Sequence, residues 1–118
     1  MSYIHGFLVP VPDANKEAYR EMARIGATVF KENGAISVVE AWADDVPDGK
    51  VTSFPMAVKL AAGESVVFSW IVWPDKATAE AGMKKSMEDD RFKVYGPNNM
   101  PFDGMRMMWG GFAPIVEA

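Results

Sequence analysis

The chain of 118 residues has no cysteine and a single histidine, His5. The first absence excludes disulfides, thiolate catalysis, iron–sulfur clusters and cysteine-ligated zinc. The second excludes His-pair metal motifs within one subunit. Basic runs are missing too. Twelve Lys and Arg stand against 16 Asp and Glu, for a net charge of −4. The electrostatic footprint of a nucleic-acid binder is therefore absent, and no nucleic-acid partner is expected. There is no long apolar run. The longest, Val66 to Trp73, is interrupted by Ser69 and falls far below the about 18 residues needed to span a bilayer. The N-terminal Met-Ser-Tyr-Ile-His-Gly-Phe has no cationic stretch leading into an apolar one, so neither a secretory signal nor a membrane partner is expected. The cytoplasm is the expected compartment. Repeats, low-complexity tracts and Ser/Gly linkers are also lacking.

The composition, 49% hydrophobic and 24% charged, is that of a globular protein. The length favours a single domain over 1–118, able to bury roughly two-thirds of its unfolded surface. Tyr3–Val11 reads as a strand with a Pro-Val-Pro exit, and Asp13 or Asn15 is placed to cap a following helix. Tyr19, Met22, Ala23, Gly26, Val29 and Phe30 form the apolar stripe of that helix, which ends at Asn33-Gly34. Ala35–Asp44 is a second strand and Asp45–Gly63 an irregular connection. Glu64–Trp73, rich in Val, Ile, Phe and Trp, is a third strand. Pro74-Asp75 opens a second helix to about Glu88, with Ala79, Gly82, Met83 and Met87 inward. Arg91–Asp103 is loop and Met105–Phe112 a last strand. The order is β-α-β-β-α-β. It predicts an α+β, ferredoxin-like fold, with a four-stranded antiparallel sheet and both helices on one face.

Alternation divides each strand into two sets. One phase makes the helix-covered face uniformly apolar: Ile4, Gly6 and Leu8, then Val66, Phe68, Trp70 and Val72, then Met107 and Trp109. Strand two is ambiguous, since Ile36 and Val38 alternate with Val39 and Ala41. The opposite face then carries Tyr3, His5, Phe7, Glu40, Trp42, Asp44, Ser69, Ile71, Trp73, Arg106, Met108 and Phe112. That mixture of aromatics and ionisable groups suits neither water nor a sealed core. It suits a surface covered by a second copy around a cavity. The expectation is a homodimer, two sheets face to face in a dimeric α+β barrel with a lined lumen.

Six segments carry a resemblance: Gly6-Phe7-Leu8-Val9-Pro10-Val11-Pro12, Ala43-Asp44-Asp45-Val46, Gly49-Lys50-Val51-Thr52-Ser53-Phe54-Pro55, Val67-Phe68-Ser69-Trp70-Ile71-Val72, Met100-Pro101-Phe102-Asp103-Gly104 and Gly110-Gly111-Phe112. The chain resembles, over nearly its whole length, the YbaA-like family of small bacterial proteins. That family is similar to the dimeric α+β barrel superfamily. It is of unknown function, so the resemblance implies a fold and a dimer but no catalytic residue. The wider superfamily includes cofactor-free monooxygenases, isomerases, haem enzymes and plain ligand binders, and fold analogy does not choose among them.

The residues themselves offer candidates. His5 titrates near neutrality and, beside Glu40 or Asp44, is a candidate acid/base group; the competing reading is a hydrogen-bonded interface histidine. Asp44 is placed toward the lumen and Asp45 at the turn with Pro47-Asp48-Gly49. Arg106 either neutralises a ligand carboxylate or pairs with Glu40 or Asp44. The catalytic candidates are thus His5, Asp44 and Arg106. The ligand-binding candidates are Phe7, Glu40, Trp42, Phe54, Ser69, Trp73 and Met108. A metal site requires His5, Glu40 and Asp44 to converge. Neither a metal nor a cofactor is expected, since haem has only His5 as an axial ligand. Ser69 lacks the strand-to-helix elbow of a hydrolase nucleophile. Gly110-Gly111 lacks phosphate-loop spacing and marks a bulge or a close backbone approach. The connection Asp45–Gly63 and the loop Arg91–Asp103 are long enough to close over a site or to trade contacts across a dimer. Two functions follow: a homodimeric small-molecule binding or structural module, or a cofactor-independent isomerase or monooxygenase with His5 as base and Arg106 holding an oxyanion.

Overall fold

Two long apolar strands and two short ones set the frame. A computed structural model describes residues 1–118, with β1 at Tyr3–Pro12, α1 at Lys16–Glu32, β2 at Ser37–Trp42, a four-residue α2 at Phe54–Ala57, β3 at Glu64–Trp73, α3 at Lys76–Met87 and β4 at Met108–Phe112. All pairings are antiparallel and the strand order is β2-β3-β1-β4. This is the expected ferredoxin-like architecture, with α2 as one addition inside the first long connection. β2 and β4 are shorter than the sequence suggests. Pro10 and Pro12 fall beyond Leu8, the last residue of β1 paired with β4, where the strand is an edge on that side and a missing N–H costs nothing in the ladder.

The helix ends follow local chemistry. Asp75 Oδ1 accepts from the Thr78 amide at 2.7 Å and caps α3. Gly34, at φ 111°, ends the α1 segment as anticipated. The expected side-chain cap on α1 does not form. Asn15 instead donates to the Pro101 carbonyl at 3.1 Å, and Asp13 accepts from the Ser65 hydroxyl at 2.5 Å. Ala79, Gly82 and Ser86 form the buried stripe of α3, with Met83 against the core, whereas Met87 is exposed. A Cβ at Gly82 would overlap the Trp73 ring and the Asn33 carbonyl, so glycine is what lets α3 sit on the sheet.

The core lies between helices and sheet in two clusters. Val9, Val11 and Val67 pack with Tyr19 of α1; Ile71 and Trp73 pack with Ala79 of α3 and with Ala35; Phe7 bridges both. This corrects the expected phase of the sheet. Tyr3, His5, Phe7, Val38, Glu40, Trp42, Ser69, Ile71 and Trp73 belong to the helix-covered side, while Ile4, Leu8, Phe68, Trp70 and Val72 belong to the open side. Only β4 keeps its expected phase, with Met108 and Phe112 opposite Leu8 and Ile4. The physical reason is that both sides of β1 and β3 are apolar. Polar groups were the only asymmetry, and on the covered side they are satisfied by partners and need no solvent.

Candidate functional site

The open side of the sheet is continuous and greasy. Ile4, Leu8, Val39, Ala41, Phe68, Trp70, Val72, Met108 and Phe112 share it by register. Phe68 is 47% exposed, Met108 47% and Phe112 60%. Aromatic rings chain together across it: Phe54 on α2 lies 5.8 Å from Phe68, whose ring is 5.1 Å from Trp70. The Phe112 ring lies over the Gly6 and Gly110 positions, which form its floor. Ionisable groups enter only at the end of β3, where Glu64 receives Arg106 through two bonds of 2.8 and 2.7 Å. Arg106 also donates to Asp103 at 2.8 Å and to the Lys59 carbonyl at 3.0 Å. It therefore clamps the two long loops to the sheet, and it holds both carboxyls below their usual range. Of the partners anticipated for Arg106, neither Glu40 nor Asp44 is used.

The covered side holds the polar groups. His5 is 8% exposed, and its Nδ1 accepts from Trp73 Nε1 at 3.1 Å, which places the proton of the neutral ring on Nε2. Tyr3 and Trp73 meet the imidazole edge-on, with centroids at 5.7 and 6.0 Å. Burial lowers its pKa below 6.5. The Tyr3 hydroxyl lies over Gly111, where a Cβ would overlap it, so the close backbone approach anticipated at Gly110-Gly111 is present. His5 thus sits in the core beside Trp73, away from the face that would line a lumen. The expected placement of an acid/base group there is corrected.

At the other edge of the covered side, the Tyr19 hydroxyl donates to Glu40 Oε1 at 2.7 Å. Ser69 is opposite Glu40 in the strand pair. Glu40 as a residue is exposed, yet its carboxylate is crowded against the helix. Lost hydration pushes its pKa above 4.5, against the pull of the Tyr19 hydrogen bond. The Tyr19 hydroxyl rises well above its ordinary value for the same reason, reinforced by the Glu40 charge. Lys16 Nζ lies 5.2 Å from the Trp42 ring centroid. These groups flank a cavity of about 290 Å³ between α1 and β2.

Nine of the ten candidate residues separate into three places. Glu40, Trp42 and Ser69 meet at the α1–β2 edge. Phe54 and Met108 belong to the open face, with Arg106 at its end. His5, Phe7 and Trp73 lie beneath the helices. Asp44 is exposed past the end of β2 and joins none of them. His5, Glu40 and Asp44 do not converge, and no group of three or more His, Asp or Glu side chains able to hold a metal ion is formed. The residues missed by sequence reasoning are Tyr19 and the α1 cations. Tyr19 was assigned only to the helix core; the signal available was its hydroxyl, which needs a partner once buried.

A sheet in the order β2-β3-β1-β4 with its long helices on one side defines a ferredoxin-like α+β protein. The chain belongs to the family described as "Protein of unknown function (DUF1428)", whose model matches residues 2–104. It is 55% identical over 117 residues to the uncharacterized protein YbaA of Escherichia coli strain K12, covering 99% of each chain, and matches the Shigella flexneri YbaA equally. This agrees with the family resemblance carried by the six segments. Among solved structures it is similar to a dimeric ferredoxin-like protein from an uncultured marine organism, with TM-score 0.65, 11% identity and all of both chains covered. It is also similar to Rv0793 from Mycobacterium tuberculosis, with TM-score 0.56, 13% identity and coverage of 100% and 99%. At such identities the shared property is the fold. No helix is long and apolar enough to cross a membrane.

Proposed function

We propose that the protein is a homodimeric small-molecule binding module in which two open sheet faces pack together around an apolar lumen. The observation that carries this reading is the open face itself: aromatic and aliphatic from Ile4 to Phe112, with ionisable side chains only at one end. Two further quantities support it. The accessible surface is 7633 Å², about a fifth above the roughly 6,300 Å² expected of a monomer of this mass. The molecule is also a slab, 38 × 37 × 21 Å, with one broad side left uncovered. The dimeric description of the marine structure, which shares the whole fold, points the same way. A lumen lined by these side chains selects a neutral, apolar occupant, because a charge there would lose its hydration without a partner.

Light scattering at micromolar concentration tests the assembly. The wild type is expected at twice 13.0 kDa. Trp70→Glu, which places a carboxylate in the middle of the face, is expected at 13.0 kDa with unchanged helix content. Nile red, a neutral apolar dye, is expected to brighten on the wild type and to lose most of that signal on Trp70→Glu. A wild-type particle of single-chain mass sinks the reading.

A further inference from the structure

The cavity between α1 and β2 lies on the opposite side of the sheet from the proposed dimer face, so it is open in monomer and dimer alike. Its construction follows from helix periodicity. Lys16, Arg20 and Arg24 recur every four residues and line its helix side as one stripe. Glu40 is the one carboxylate on its strand side. Among the lining side chains three cations face one anion, and two of those cations pair with Glu17 and Glu21 on the same helix. Between these two rims the floor is apolar, formed by Ala23, Ala27, Val38 and Val67.

The cations are not locked. Arg20 meets Glu17 at 3.2 Å and Arg24 meets Glu21, each within α1 and each with both side chains more than half exposed. Such pairs contribute little and exchange readily. An incoming carboxylate that offers a planar acceptor to two arginines competes with them effectively. On the other rim, Glu40 is held in place by Tyr19. It can accept from a hydroxyl or amine and repels a second negative charge. At about 290 Å³, the volume is at the small end of ligand cavities and suits a single ring.

We propose that this groove binds small organic monoanions: a carboxylate toward Arg20 and Arg24, an apolar body over Ala23, Ala27 and Val38, and a hydrogen-bond donor toward Glu40. The inference is independent of the dimer. It is tested by titrating the full chain with 4-hydroxybenzoate and following the Trp42 indole N–H by NMR. A saturable shift is expected. Phenol, which lacks the anion, and terephthalate, which adds a second one opposite Glu40, are each expected to bind at least about tenfold more weakly. The double variant Arg20→Ala/Arg24→Ala is expected to weaken 4-hydroxybenzoate at least about tenfold, and Arg20→Lys/Arg24→Lys, which keeps the charge but loses the planar fork, to weaken it less. Glu40→Gln is expected to narrow the gap between 4-hydroxybenzoate and terephthalate. Both arginines are exposed, so the variants fold, which an unchanged spectrum outside the groove checks. No saturable Trp42 shift, or equal affinities for 4-hydroxybenzoate and phenol, or an unchanged affinity in the alanine double variant, overturns the proposal.

Discussion

The two sides of this sheet invert the usual expectation for polar and apolar residues. The side beneath the helices holds the histidine, the serine, the glutamate and the tyrosine hydroxyl; the side facing outward is nearly pure hydrocarbon and aromatic ring. The difference teaches that polarity does not mark exposure. A polar group tolerates burial when it is paired, as His5 is with Trp73 and Tyr19 with Glu40. An apolar face left open has no such remedy inside one chain, and in the proposed dimer a second copy would complete it.

The comparison is broken most severely on the covered side. Trp73 is fully buried and Trp70 sits three residues earlier in β3, on the other side. Trp73→Ala is expected to cost about 3–5 kcal/mol in urea unfolding at any protein concentration. Under the proposed dimer, Trp70→Ala is expected to cost less, by an amount that shrinks on dilution, because its partners would belong to a second copy. Equal, concentration-independent losses at both positions would erase the distinction between the two sides.

A smaller effect comes from removing one polar pairing. Tyr19→Phe leaves the ring in the core and deletes its bond to Glu40, with an expected loss of about 1 kcal/mol. Glu40 is open enough to rehydrate, so a loss several times larger would mean that the pair is sealed. A loss of similar size is expected for Asp75→Ala, which strips the α3 cap.

Acid sharpens the comparison with the smallest changes. Burial lowers the His5 pKa, so the unfolded chain takes up the proton first. Its contribution to stability is complete above 6.5 and is lost as pH falls below that value. Glu40 has the opposite sign. Its raised pKa favours the folded chain at acid pH, and that contribution fades as pH rises from 4.5 through the raised value. Urea midpoints are therefore expected to fall more steeply below 6.5 in Glu40→Gln than in the wild type. In His5→Gln they are expected to stay level or rise between 6.5 and 4.5, below which the carboxyls that Arg106 holds low cost stability. The same slope in both variants would show that neither group is buried as described.

Much of the architecture is legible along the chain because it depends on local chemistry: the Val- and Trp-rich β3, the 3.6-residue stripe of α1, the Asp75 cap, the Asn33-Gly34 stop. The candidate site is legible only in part. Glu40, Trp42 and Ser69 were singled out and do meet, but Tyr19, which ties them to α1, carries the same signal as any core aromatic. His5 and Arg106 drew attention as reactive types, and one is packed against Trp73 while the other clamps two loops.

The order of elements and the antiparallel pairing follow from residue pattern, since periodicity and turn chemistry act over a few residues at a time. Which side of the sheet the helices take does not follow. Both sides of β1 and β3 offer similar apolar area, so alternation leaves the two choices nearly degenerate. The choice is made by contacts distant in sequence: Gly82 admitting α3 onto Trp73, Tyr19 reaching Glu40, and Val9 and Val11 meeting α1. Those contacts exist only once the chain has closed on itself.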